Sequence, residues 1–411
     1  MSNSISEFAT TLLPRSTENP QQDPIPQNGS ISGAVFNIST TMVGAGIMAI
    51  PATMKVLGII PGLIVIVFVA VITDLTVEFM LRCTTSGKAV TYAGMVGESF
   101  GWRGSLAVKL CVITTNLGVL IVFFIILGDV LCGNEYEGTI HLGILQQWFG
   151  IHWWTCRTFA LLVVALVIML PLVMLRRVDS LKYSSALSIL LALVFVVICS
   201  SMAVTALSSG FGFHVNVHPI RAELVKPSDM SSAVRISLLI SVSIYFAIGF
   251  FGYLLFGDSI MPDVLVNFDQ NSDSSFGRLL DNIIRISYAL HLALVFPMLN
   301  YSLRANIDEL LFSNKNKPPL ALDTPRFVRI TLVLLAFTYL VAVAIPNVWY
   351  FFQFLGSTTI VCLSFIFPAA IILRDMHGIS KTRDKVMAIV VIILAVATSG
   401  IAIWTNLNVI S

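Results

Sequence analysis

The sequence predicts an all-α polytopic membrane protein, and three observations carry that prediction. Hydrophobic residues make up 56% of the 411 and charged residues only 11%, where a soluble domain carries about 25% charge. The apolar residues gather into runs near the length of helix that crosses a bilayer core, about 20 residues. The loops between the runs alternate between basic and acidic.

The runs cover 31–54, 58–81, 106–131, 158–175, 186–207, 234–256, 283–303, 327–345, 351–373 and 386–404. They are spans one to five and seven to eleven, with the number six left vacant for a reason given below. Pro171, Pro297, Pro346 and Pro368 are expected near span ends, and Pro51 falls inside span one. Membrane helices tolerate proline where neighbours re-satisfy the backbone. Residues 1–30 are polar and rich in Pro, Ser and Gln, which predicts a disordered tail ahead of a membrane domain over 31–406. No charged segment precedes a short apolar one there, so no cleavable signal peptide is expected.

Arg82, Lys88 and Arg103 lie between spans two and three, Arg176, Arg177 and Lys182 between four and five. Arg304, Lys315, Lys317 and Arg326 lie between eight and nine, Arg374, Lys381, Arg383 and Lys385 between ten and eleven. The alternate loops carry Glu135 and Glu137, or Asp258, Asp263, Asp269 and Asp273. The positive-inside rule puts the tail and the basic loops in the cytosol. One place breaks the alternation. The loop before span five is basic, and so is the loop after it, with Arg221 and Lys226. Two cytosolic loops need an even number of crossings between them. Either the loop after span five is an exception to the rule or a span is missing, and the missing span is preferred: the stretch from Gly210 to His218, Gly-Phe-Gly-Phe-His-Val-Asn-Val-His, reads as the stub of a sixth span too short to cross.

Function classes fall away by composition and motif. A net charge of +2 offers no field for nucleic acid. No P-loop, catalytic Ser/His/Asp order or metal-ligand spacing is present, so no enzyme, cofactor or metal is expected. The six cysteines are scattered and read as small hydrophobes, with a Cys132–Cys156 bridge left open. Span one holds Val43-Gly-Ala-Gly46 with Pro51 beyond. Such a run can unwind at the midplane and free backbone groups that must then face a ligand or a polar cavity. Freed N–H groups suit a carboxylate, freed C=O groups an ammonium or a cation. Close helix packing by small residues explains the same spacing equally well. Asp74 and Glu78 sit one turn apart on span two, and Glu78 is placed to pair with Arg82. Asp74 is either a buried-pair member or a functional carboxylate, Asp129 an interfacial one. His291, mid-span, is either a proton carrier or a satisfied hydrogen-bonding residue. His214, Asn216 and His218 crowd the stub.

Four segments, Ser32-Gly-Ala-Val-Phe-Asn-Ile-Ser with Val43-Gly-Ala-Gly-Ile, Arg177-Val-Asp-Ser-Leu-Lys, Asn216-Val-His-Pro-Ile, and Tyr288-Ala-Leu-His-Leu-Ala-Leu-Val-Phe-Pro, resemble the amino acid/auxin permease family. The resemblance is greatest to its plant vacuolar amino acid transporters and extends to the sodium-coupled neutral amino acid transporters. It implies a LeuT-like fold of two inverted five-helix repeats plus one helix, with broken spans one and six binding an amino acid at mid-membrane. Backbone over Val43, Gly44, Ala45 and Gly46 would hold the carboxylate, and Asn37 and Thr40 would line the site with His214 and Asn216 of the sixth span. Asp74 and His291 are the candidates for proton coupling. Two departures stand out. Roughly thirty residues, the length of one helix and a loop, are expected to be missing between Leu207 and His218, leaving helix six truncated. Sodium-coupled relatives carry an asparagine where this chain has Thr40 and a threonine near Val295, so the proton is favoured as coupling ion over sodium. The expected function is proton-linked secondary transport of neutral amino acids across a membrane, the vacuolar one favoured over the plasma membrane. The rival is a non-transporting amino acid sensor or an inactive splice form.

Overall fold

In the computed structural model the described residues are 30–136, 139–175, 181–203, 220–221, 226–261, 263–268, 275–312, 320 and 322–410. Among the described residues seven helices are long and apolar enough to cross a membrane, or eight if one bent pair counts as a span. Two shorter apolar helices, Arg157–Val173 and Lys182–Val196, account for the remaining two runs. The ten runs read from hydropathy therefore all become helix over most of their described residues. The expected stub at 210–218, with His214 and Asn216, lies outside the described residues.

Span one is the bent pair. Helix α1 (Ile31–Met42) starts at Ser30, whose Oγ accepts the Gly33 N–H at 3.1 Å. It ends at Val43, and a 3-10 turn (Ala45–Ala49) leads into α2 (Ile50–Leu57) at a bend of 49°. Glycines at 44 and 46 have little preference for helix, and Pro51 lacks the N–H that a continuous helix would give to Ile47. Helix α3 (Ile59–Ser86) forms span two and α4 (Tyr92–Cys132) span three. A short hairpin follows, β1 (Asn134–Tyr136) antiparallel to β2 (Thr139–His141) with Asn134 opposite His141, and then α5 (Ile144–Phe149). This hairpin is a small departure from an all-α chain. Span four is α6 (Arg157–Val163), a π-turn (Val164–Met169) and α7 (Leu170–Val173). Helix α8 (Lys182–Ala203) is span five and α9 (Met230–Phe256) span seven. The one-turn α10 (Val264–Asn267) precedes α11 (Ser275–Leu311), span eight. Spans nine to eleven are α12 (Thr324–Ala344), the broken series α13 (Val348–Ser357), α14 (Thr359–Val361), a π-turn (Cys362–Ile366) and α15 (Phe367–Arg374), and finally α16 (Thr382–Ile410).

The prolines explain the irregular turns. Pro171 and Pro368 each follow a π-turn directly, where widening by one residue accommodates the missing N–H. Pro297 is not at a span end, as sequence suggested, but inside α11. The carbonyl that loses its donor is that of Ala293, and beside it the Ser184 Oγ from α8 donates to the Leu294 carbonyl at 3.1 Å. Cys132 and Cys156 are both free thiols, so the bridge left open by the sequence is not formed.

Burial sorts the helices. The most apolar windows of α4 and α11 are each 67% buried, those of α3 and α16 only 22% and 17%. Ile60, Ile64, Phe68, Ile389, Ile393 and Val396 point outward, a face that lipid solvates. The main core joins α4, α8 and α11 to Val43, Ile47 and Met48 of span one. Helix directions follow from the contacts. Gly33 abuts Lys182 and Thr40 bonds Ser185, so α1 and α8 run parallel. Val35 meets Ser237 and Met42 meets Tyr245, so α1 and α9 also run parallel. Helices α1, α8 and α9 therefore begin at one end of the bundle, beside Leu81 at the close of α3.

Candidate functional site

The break in span one is a place where backbone has lost its helical partners. Met42, Val43 and Gly44 form a tight turn, with Val43 at φ −74°, ψ 73° and the Gly44 N–H on the Met42 carbonyl at 2.8 Å. That is an inverse γ-turn, and it leaves three successive carbonyls without α-helical donors. Three side chains from other helices supply them. Tyr245 of α9 donates its hydroxyl to the Met42 carbonyl at 2.6 Å. Tyr288 of α11 donates to the Gly44 carbonyl at 3.0 Å. His291, one turn further along α11, brings Nε2 to within 2.5 Å of the Val43 carbonyl. All three rings are buried, and an unmet carbonyl here would cost about 1–3 kcal/mol.

The 3-10 turn's first internal bond runs from the Ile47 N–H to the Gly44 carbonyl at 3.2 Å. The N–H groups of Ala45 and Gly46 precede it, in the place of the donors that every helix start leaves over. Gly44 itself has φ −111°, ψ −161°, an extended conformation open to any residue. A Cβ added there would come no closer than 3.9 Å to the Thr41 carbonyl and 4.0 Å to Phe123. Backbone strain therefore does not demand glycine at 44.

His291 binds in a way that two protonation states can satisfy. Its Nδ1 lies 2.7 Å from the Ser188 hydroxyl and 2.8 Å from the Ser188 carbonyl of α8. A neutral ring donates from Nε2 to Val43 and accepts the Ser188 hydroxyl at Nδ1. An imidazolium donates to both carbonyls, and the hydroxyl then turns to the His291 carbonyl, 3.3 Å away. Tyr288 stacks on the same imidazole with ring centroids 5.6 Å apart.

The other expected residues divide. Thr40 is buried and its hydroxyl donates to the Ser185 carbonyl at 2.9 Å. Asn37 is 3% exposed, and its Oδ1 accepts no hydrogen bond among the described residues. Val43 is fully buried and Gly44 half-buried at the turn itself. Asp74 is not brought to the break: its carboxylate pairs with Arg235 of α9 at 3.4 Å. Glu78 pairs with the same arginine at 3.2 Å and with Arg82 at 3.9 Å, as its spacing suggested. Asp129, read as interfacial, lies in the last turn of α4, largely shielded and bonded to Arg157 of α6. Sequence reasoning passed over Tyr245, Tyr288 and Ser188. A signal for the first existed, since Ser237, Ser241 and Tyr245 repeat every four residues on an otherwise apolar helix. Asn116 of α4 was also missed; it is 1% exposed and both its amide atoms lack hydrogen-bond partners among the described residues.

Helices of this length, apolar outer faces and a broken span whose carbonyls are capped from two neighbouring helices describe an integral multi-pass membrane protein of the solute-transporter class. The family of transmembrane amino acid transporter proteins matches residues 27–209 and 199–410, and the chain belongs to that family. It is 49% identical to "Amino acid transporter AVT6C" of Arabidopsis thaliana over 98% of both chains. It is 50% identical to "Amino acid transporter AVT6D" of the same plant over 96% of both. A more distant likeness, 28% identical over 89% of this chain and 35% of the relative, is to "Solute carrier family 38 member 10" of Rattus norvegicus. The alignment with AVT6C runs over 431 positions, more than the 411 residues of this chain, so that relative carries residues with no counterpart here.

Proposed function

We propose that the chain belongs to a proton-linked secondary transport system for neutral amino acids in the vacuolar membrane, and that as written it transports poorly. The observation that carries the first half is the break in span one. Its three carbonyls are taken by Tyr245, His291 and Tyr288, while the Ala45 and Gly46 amides stand at the start of the 3-10 turn, in the place of the donors that a helix start leaves over. That polarity suits a substrate carboxylate, with Asn37 and Thr40 lining the approach. It does not suit a sodium ion, which needs about six oxygens free to ligate. Thr40 keeps its hydroxyl on Ser185, and Val295 is apolar and buried in the core. His291 is the proton carrier in this reading, because each of its protonation states has partners in place. The vacuolar assignment rests on the likeness to the plant transporters.

The second half rests on helix direction. Helices α8 and α9 begin at the same end of the bundle, so the chain must recross between Ala203 and Ile220. Residues 204–219 would make about 24 Å of helix against a hydrocarbon core of about 30 Å. The surplus length of the aligned relative supports the same conclusion, that most of a sixth span is missing. Half of a site built between spans one and six would then be absent.

One experiment addresses both halves. Labelled neutral amino acids are offered to proteoliposomes holding either this chain or this chain with the corresponding stretch of a relative inserted after Gly210. The expected result is weak uptake by the first and robust uptake by the second, driven by a pH gradient and indifferent to sodium. Strict sodium dependence would overturn the coupling, and equal robust uptake by both would overturn the truncation. No uptake by either would remove the transport reading.

A further inference from the structure

The connection between spans three and four turns an apolar, aromatic face outward. Three of the six tryptophans, Trp148, Trp153 and Trp154, lie in it, and no Asp, Glu, Lys or Arg occurs between Glu137 and Arg157. Residues 147–153 are all exposed, Trp148 at 56% and Trp153 at 74%. Phe149 and Ile151 stand out between them. A contiguous apolar surface of this kind marks an interaction site.

Local structure fixes the face outward. Ile144 of α5 is buried in the main core and holds one side of the loop. Helix α5 stops at Gly150, whose φ of 81° suits a glycine. A 3-10 turn (Trp153–Thr155) follows, and the buried Thr155 holds the other side. Its hydroxyl accepts the His152 N–H at 2.8 Å and lies 2.9 Å from the His152 carbonyl and 3.2 Å from that of Gly150. The rings between these two anchors support one another. Phe149 meets Trp154 at 5.3 Å, Trp154 stacks on His152 at 5.7 Å, and Trp153 meets Phe159 of α6 at 5.0 Å.

The height of the loop follows from span four. Arg157–Val173 makes about 25 Å of helix, against a hydrocarbon core of about 30 Å. Arg176 follows within three residues of its far end. Arg157 therefore stands at the edge of the hydrocarbon or just inside it, where its pairing with Asp129 offsets the cost of the charge. The rings at 148–154 come immediately before it, level with the headgroup boundary. Trp153 rests on Phe159, one turn before the exposed Leu162 and Val163, so the rings continue the lipid face of α6.

We propose that residues 144–154 are an interfacial lipid-binding element, whose rings enter the boundary between acyl chains and headgroups on the acidic-loop side and complete a fourth span too short to cross by itself. The partner is phospholipid, and the contact is uncharged. Tryptophan offers an apolar body to the acyl chains and an N–H to the ester carbonyls. A loop without acidic or basic side chains needs no anionic headgroup. The element is independent of whether the chain transports.

The test uses the full chain in bilayer nanodiscs, one copy to a disc. A phospholipid with a diazirine near the ester end of one acyl chain gives, on photolysis, a carbene that inserts into adjacent side chains. Hydroxyl radicals made in the buffer oxidise tryptophans that water reaches. Mass spectrometry reads both marks. Carbene label is expected over 148–153, equally in neutral and in partly anionic discs. Trp148 and Trp153 should oxidise about tenfold more slowly than a free tryptophan amide, as inserted rings do. Trp148→Asn combined with Trp153→Asn should lower the label over 148–153 several-fold and leave that on Leu166 and Val167 of span four as in wild type. Oxidation at the free rate in one-copy discs overturns the proposal, and protection regained in two-copy discs would then assign the face to a second copy of the chain. A label that appears only with anionic lipid overturns the uncharged contact. An undiminished label in the double variant overturns the role of the rings.

Discussion

At the scale of single residues, the break in span one depends on three buried donors, and His291 is the one that can also change charge. His291→Leu removes the side-chain donor that the described residues place on the Val43 carbonyl. It should cost about 1–3 kcal/mol of stability, read as a lower unfolding temperature in detergent. His291→Gln keeps one donor and should cost less. Both variants should abolish the response to a pH gradient in the version with the inserted stretch; a gradient-driven His291→Gln would move the proton elsewhere. Gly44 separates the binding and packing explanations of span one. Alanine fits the extended backbone and the space beside Phe123, so Gly44→Ala should fold normally. Gly44→Val or Gly46→Val should abolish binding of a labelled neutral amino acid by filling the ligand's place. Unchanged binding in both valine variants would assign the glycines to packing.

At the scale of elements, span one is held against α9 along its length. Ser237 donates to the Val35 carbonyl at 3.1 Å, Ser241 to the Met42 sulfur at 3.1 Å, and Tyr245 to the Met42 carbonyl at 2.6 Å. Beyond the break, Gly252 lets α9 touch Pro51: an added Cβ would lie 2.7 Å from the proline Cγ. Gly252→Ala should therefore push α2 from α9 and destabilise by about 1–3 kcal/mol, measured by thermal unfolding. The same substitution at Gly400, where an added Cβ meets nothing within 4 Å, should be silent. Equal effects at the two positions would mean that the α2–α9 contact is not close in the membrane.

For the whole molecule, the loop charges predict a cytosolic tail and a cytosolic loop over 375–384. Cysteines introduced in both segments should react with an impermeant reagent only from the cytosolic face of sealed vesicles. Reaction of both from the opposite face would invert the topology. Restoring the sixth crossing should then change uptake without changing which face the tail occupies, because α1, α8 and α9 already share one direction. A flipped tail in the restored chain would mean that span five had been compensating.

Much of this was readable without a structure, because lipid imposes simple rules. Every backbone group in hydrocarbon must find a partner inside the protein, and a helix supplies one within its own segment, so apolar length alone predicts helix, and each of the ten runs is helical over most of its described residues. Loop charge was enough to suggest that a crossing is missing, since the parity of crossings is a counting problem. Glycine spacing and a proline marked the break at 44–46. What hydropathy could not rank was which polar residues converge. Asp74 and His291 were both candidates for proton coupling, yet one ends in an ion pair with Arg235 and the other on the Val43 carbonyl. Tyr288 and Tyr245 sit on helices far apart in the chain and meet at one turn only because α9 and α11 both flank span one. Hydrogen-bond partners and desolvation depend on distances between segments, and those distances are set by helix packing rather than by local sequence.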